Sequence, residues 1–243
     1  MAAALARGWG DPVLCSDSGS GRARALAQEL GGEAFDSNAE VAKRADLVVL
    51  CHKPYQLHAV AQEIRDHAKA GASVLGGTGT AALVTAYPKV PFFRLMPNTP
   101  VAVRRGIVLY TPADDIDHAL EAEVIALFER VGTVIKLPEP LIEVGAAVMS
   151  VGPAYQALLA EAQVDAAIRQ GLSAPLASHL VVETMAGTAA LLAARDYDTL
   201  GVRREVTSPA GSTARGLAAL ERAGVRSAFN DAIDAVTDWS KPK

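Results

Sequence analysis

Over the first half of the chain, short apolar runs of strand type alternate with amphipathic segments of helical period; beyond Pro138 and Pro140 the strand signal stops. Residues 12–16 and 46–51 read as strands, the second with the unbroken Val48-Val49-Leu50 run of a strand buried on both faces. Further strands are predicted at 73–75, 91–96, 106–110 and 133–137, with helices at 22–30 and 56–68. Strands separated by helices of this length imply right-handed crossovers and a parallel, doubly wound sheet.

From residue 141 onward the pattern is helical only. Long Ala- and Leu-rich stretches are broken at Gly152-Pro153, near 171–175 and at Ser208-Pro209. An α/β half followed by an all-α half predicts two domains, 1–137 and 138–243. The helices at 154–168 and 177–192 are apolar on more than one face, and a second copy of the chain is an economical cover for them.

The opening Met1-Ala2-Ala3-Ala4-Leu5-Ala6-Arg7-Gly8-Trp9 reads as a helix, and the strand after it has the character of a second strand. In an open α/β sheet a dinucleotide's pyrophosphate sits on a glycine turn after the first strand. Gly19-Ser20-Gly21 follows the wrong strand to serve as that turn. The expectation is that the first strand and its glycine turn lie upstream, because a sheet without its central strand leaves two strand edges unpaired.

Composition narrows the classes. Half of the residues are hydrophobic and only 5% aromatic, which suits close-packed helices and parallel strands better than an aromatic-rich sandwich. A net charge of -4 with both signs interspersed leaves no footprint for nucleic acid or an anionic membrane. Cys15 and Cys51 lack metal-ligand spacing and fit reduced, cytosolic packing. No uninterrupted apolar run reaches the length of a membrane span. These features predict a cytoplasmic protein without metal, membrane or nucleic-acid partners.

The tract Phe93-Arg94-Leu95-Met96-Pro97-Asn98-Thr99-Pro100 sets an amide and a hydroxyl between two prolines at a strand end, which on local chemistry alone is a turn. Together with other tracts it acquires chemistry. MAAALARGW, ADLVVLCHKP, RLMPNTP, VGPAY and EVTSPAGSTARGLAALERAG, in this order and spacing, resemble the pyrroline-5-carboxylate reductase family across nearly the whole chain. The resemblance implies a Rossmann-like parallel sheet followed by an all-α dimerisation domain, an NADPH cofactor with NADH as the alternative, and a homodimer or an oligomer of dimers. It also implies reduction of 1-pyrroline-5-carboxylate to L-proline, the last step of proline biosynthesis.

Residues follow from the match. Met96, Pro97, Asn98 and Thr99 would lie at the nicotinamide end, with the prolines limiting the entropy lost on binding. Lys53 and Pro54, at a strand's carboxyl end, would line the nicotinamide ribose and phosphate side. Ser18 and Arg22, with Ser20, suit a 2'-phosphate, whereas an inward Asp17 would repel it. Asn38 resembles an adenosine-side asparagine, or serves as a helix N-cap. In the loop Thr207 to Thr213, Ser208 and the amides of Gly211 and Ser212 suit a substrate carboxylate, and the Thr213 hydroxyl suits the imine nitrogen. A plain helix cap is the alternative role of that loop.

Two positions depart from the family pattern. Val151-Gly152 replaces a smaller polar wall beside the substrate, and Ala210 stands where the family has glycine. The runner-up activities are reduction of a related cyclic imine or of a small hydroxy or keto acid. The hydroxyacid enzymes of this plan rely on an interdomain lysine, and residues 144–195 contain none. A non-catalytic truncated paralogue is the reading from another class.

Overall fold

The computed structural model describes residues 1–111 and 116–239. The chain runs α1 (Ala2–Trp9), β1 (Leu14–Ser16), α2 (Arg22–Leu30), β2 (Glu33–Phe35), α3 (Asn38–Arg44), β3 (Val48–Leu50), α4 (Leu57–Ile64) and β4 (Gly71–Ser73). It continues through α5 (Thr80–Ala86), β5 (Phe92–Pro97), β6 (Gly106–Thr111), α6 (His118–Glu129), β7 (Gly132–Lys136) and α7 (Glu139–Met149). Helices α8 (Gly152–Arg169), α9 (Ala174–Ala194), α10 (Thr199–Glu205), α11 (Ser212–Arg222) and α12 (Val225–Trp239) complete it. Local chemistry sets the ends. Gly10 and Gly31 close α1 and α2 in the left-handed conformation, and Ser37 opens α3 by accepting the Glu40 amide.

Two sheets form. β1 pairs with β2 in parallel, and a separate sheet has the order β3-β4-β5-β6-β7. β1 and β3 each keep one unpaired edge among the described residues. The larger sheet is parallel from β3 to β5 and from β6 to β7, but β5 and β6 are antiparallel. The expectation of an entirely parallel sheet is corrected there for a simple reason. Only a 3-10 turn, Thr99–Val103, and three further residues join β5 to β6, too short a link for a crossover.

β4 begins two residues before its predicted start, at small residues that carry no strand signature. Gly71 is required: a Cβ there would lie 2.2 Å from the Phe92 ring, which stacks on Tyr87. One core cluster gathers Leu50, Leu57, Ile64, Leu83 and Phe92, and another gathers Leu5, Phe93, Leu95, Tyr110 and Phe128 across the sheet. A third, with Met96, Leu109 and Ile142, seats α7 on β5 and β6.

Because of that third cluster, the compact units divide after Pro153, not before α7. The first unit is Met1–Pro153 and the second begins at Ala154. The end of the second predicted domain, residues 240–243, lies outside the described residues. Within the second unit little is buried; Ala177 is the buried residue of α9, while Leu158, Leu176, Leu180 and Val182 are exposed. Among the described residues, 139–169 and Ala174–Ala194 are long and apolar enough in composition to cross a membrane, although polar residues such as His179 and Glu183 interrupt the second.

Candidate active site

The predicted cofactor residues lie at or after the carboxyl ends of β1, β2, β3 and β5, where the strand-end rule for α/β sheets places a ligand. After β1, the Asp17 carboxylate turns into its own loop. It accepts the amides of Gly19 at 2.7 Å, Ser20 at 2.9 Å and Ala23 at 2.7 Å, and the Ser20 hydroxyl at 3.0 Å. These bonds, that from Ala23 foremost, pull its pKa from the ordinary 3.8 to about 2. The carboxylate is thereby spent on the start of α2, while Ser18, Ser20 and Arg22 remain exposed, with Arg22 Nε donating to Ser20 Oγ at 3.0 Å.

Asn38 is the first residue of α3 and does not cap it, since Ser37 does. Its amide ties elements together: Oδ1 accepts from Ser16 Oγ at 2.7 Å, and Nδ2 donates to Glu63 at 2.7 Å. Lys53 and Pro54 lie just beyond β3, both exposed, and the Lys53 ammonium has no ion-pair partner among the described residues. Beside them His52 Nδ1 meets the Lys53 carbonyl at 2.9 Å, so Nδ1 carries the proton, and Nε2 is shielded without a partner.

At the end of β5 the two polar residues separate in role. Asn98 is buried: Oδ1 accepts the Ile107 amide at 2.9 Å and Nδ2 donates to the Met149 carbonyl at 3.0 Å. Thr99 is exposed at the start of the 3-10 turn. Met96 and Pro97 are buried on the strand itself. Val151 and Gly152 follow α7 directly, so the Met149 bond brings the predicted substrate wall into the same unit as the Pro97–Thr99 turn.

A charged cluster that sequence reasoning passed over lies earlier on β5. Arg94, with only 4% of its surface exposed, donates to Glu139 at 2.6 Å and to Glu143 at 2.6 Å. Glu139 Oε1 also accepts the Thr80 amide at 3.1 Å, gathering the Gly76-Gly77-Thr78-Gly79 loop after β4. The signal was available, because a lone arginine inside Phe92-Phe93-Arg94-Leu95-Met96 must find a carboxylate when the strand is buried.

In the second unit, Ser208-Pro209-Ala210-Gly211 forms a turn closed by the Gly211 amide on the Ser208 carbonyl at 3.1 Å. Ala210 has φ 57°, the left-handed region that a turn with proline in second place asks of its third residue. Gly211 is the N-cap of α11 without any side-chain cap bond, so Ser208 and Thr213 do not cap the helix. Among the described residues no side chain accepts from the first-turn amides, and a Cβ on Gly211 would lie 2.5 Å from Ser208 Oγ, which places that hydroxyl at the helix start. Thr213 is the second residue of α11 and exposed.

Comparison with known proteins decides the family. The chain is 34% identical over 220 residues to the pyrroline-5-carboxylate reductase of Thermus thermophilus, an alignment covering 89% of this chain and 82% of that one. The chain belongs to the pyrroline-5-carboxylate reductase family. The Pseudomonas aeruginosa reductase is 33% identical over 235 residues, covering 94% and 85% of the two chains. A model of pyrroline-5-carboxylate reductase dimerisation matches residues 139–242, opening at α7, and one described as NADP oxidoreductase, coenzyme F420-dependent, matches residues 1–76. The Streptococcus pyogenes reductase superposes with TM-score 0.89 at 26% identity over 99% of this chain and 94% of that one. The Plasmodium falciparum pyrroline carboxylate reductase with NADP bound gives 0.87 at 25% identity, covering 98% and 92%.

Proposed function

We propose that the chain reduces 1-pyrroline-5-carboxylate to L-proline with NADPH, as a homodimer in the cytoplasm, in the last step of proline biosynthesis. The observation that carries this reading is the start of α11: first-turn amides that no side chain among the described residues engages, beside the Ser208 and Thr213 hydroxyls, in a chain of this family. A small cyclic imino acid presents one carboxylate and one ring nitrogen, and that loop offers a partner for each. The helix-start amides of Gly211 and Ser212, together with Ser208, hold the carboxylate. The Thr213 hydroxyl meets the ring nitrogen and fixes which face of the C=N bond is presented. Val151 and Gly152 wall the imine ring.

The residues present suit the ribose and nicotinamide ends of the cofactor. The Asp17 carboxylate is turned into its own loop by hydrogen bonds from Gly19, Ser20 and Ala23, and Ser18, Ser20 and Arg22 bind the 2'-phosphate. Lys53 and Pro54 line the phosphate and ribose side, Asn38 holds the adenosine side, and Met96, Pro97 and Thr99 border the nicotinamide. When bound, NADPH supplies the hydride that adds to the imine carbon. With the substrate already an iminium, the protein's work is orientation and exclusion of water, without a side-chain acid.

A second copy covers the apolar surfaces of α8 and α9, which supports the dimer and leaves no need for a bilayer. Association of dimers into a larger oligomer follows the same reading.

Thr213→Val tests the substrate half, keeping shape and removing the hydroxyl. Turnover is expected to fall by about one to three orders of magnitude with NADPH affinity unchanged, and Thr213→Ser to keep most activity. Full activity in a well-folded Thr213→Val would remove the residue from the mechanism.

A further inference from the structure

Helix α7 is fastened to β5 at both ends. At its start, Arg94 grips Glu139 and Glu143, each at 2.6 Å. At its finish, Asn98 Nδ2 holds the Met149 carbonyl at 3.0 Å. Arg94 and Asn98 stand four residues apart, roughly 13 Å along a strand, and Glu139 and Met149 ten residues apart, roughly 15 Å along a helix. The helix therefore lies along the strand in the same sense, with Ile142 filling the space between them against Met96 and Leu109. Each fastener also holds a neighbouring loop. Glu139 takes the Thr80 amide after β4, and Asn98 Oδ1 takes the Ile107 amide at the start of β6.

The chemistry of the fasteners is costly for mere adhesion. One guanidinium faces two carboxylates, and Arg94 Nε and Glu139 Oε2 are buried without hydrogen-bond partners. Apolar residues of similar volume stabilise such a contact as well as or better than buried charges do. What charged and amide groups add is a fixed distance and direction, because their bonds are short and directional.

Resting on the reductase reading, we propose that Arg94 and Asn98 are positioning residues. They clamp α7 so that its exit, Ser150-Val151-Gly152, is held against the Pro97–Thr99 turn, and thereby set the substrate wall relative to the nicotinamide border. Asn98 acts through Met149 and Ile107 and offers its side chain to the scaffold. A displacement of about 1 Å at such a junction is enough to cost orders of magnitude in rate.

The test replaces the charges together, as Arg94→Met, Glu139→Gln and Glu143→Gln in one full-length chain, and follows amide hydrogen exchange by mass spectrometry. Exchange over residues 146–152 is expected to accelerate about tenfold or more, with α9 unchanged. Turnover of 1-pyrroline-5-carboxylate with NADPH should fall about tenfold or more with a smaller change in KM, and the isotope effect from 4-deuterated NADPH should rise as hydride transfer becomes limiting. Unchanged exchange at 146–152 in the folded variant, or accelerated exchange with wild-type turnover, overturns the proposal. A wild-type chain without turnover counts against the reductase reading alone, and the exchange rates still decide the clamp. If the triple variant does not fold, Arg94→Lys reads the same exchange, since one ammonium cannot fork to both carboxylates.

Discussion

Single residues carry the clearest consequences. Ala210 holds φ 57° in the substrate turn. A left-handed residue with a Cβ costs about 1–2 kcal/mol, against about 0.5–1 kcal/mol of extra chain entropy that glycine loses on folding. The first term wins, so Ala210→Gly is expected to raise stability by about 0.5–1 kcal/mol, read as a higher urea midpoint; a lower midpoint would contradict the turn geometry. Asp17 makes a pH prediction. Its folded-state pKa, about 2, lies below the ordinary 3.8, so its contribution to the loop is complete above about pH 4 and lost as the pH falls towards 2. Amide shifts of Gly19, Ser20 and Ala23 followed by NMR should share a midpoint near 2, and a midpoint near 3.8 would show the carboxylate free of the loop.

At the scale of elements, legibility followed length and chemistry. The helix 22–30 was readable to its ends because Gly21 and Gly31 punctuate it, β3 announced itself by an unbroken apolar run, and β5 by one interrupted only by Arg94. β2 was missed because three residues, Glu33-Ala34-Phe35, are too few to show a period. The antiparallel turn from β5 to β6 was hidden for a different reason: strand direction depends on the length of a connection whose 3-10 turn leaves no apolar period. Of the candidate site, the loop at Ser208 to Thr213 and the strand-end residues are legible as candidates from their motifs and positions alone. The bonds that tie Asn98 and Arg94 to α7 are not, because Met149, Glu139 and Glu143 lie more than forty positions away. The unpaired edges of β1 and β3 bear on the cofactor. A chain extended at Met1 by a strand and a glycine turn is expected to bind NADPH at least about tenfold more tightly, since such a turn brings backbone amides to the pyrophosphate. Equal dissociation constants by cofactor fluorescence would refute that.

For the whole molecule, the second unit exposes Leu158, Leu176, Leu180, Val182 and Phe229. They are 39–63% exposed, so covering each gains about half of the roughly 1.5–3 kcal/mol of a full burial, and two copies of the set, about 7–15 kcal/mol, match the roughly 4–15 kcal/mol that association costs before other apolar residues of the unit are added. Light scattering at low micromolar concentration should therefore give twice the chain mass or an even multiple of it, and a stable monomer would break this part of the account. The central claim is catalytic, and one assay meets it directly: purified protein is mixed with 1-pyrroline-5-carboxylate and NADPH, and cofactor oxidation and L-proline are measured together. The account predicts one proline formed per NADPH oxidised, with NADPH preferred to NADH. A folded dimer that binds NADPH and forms no proline would contradict it.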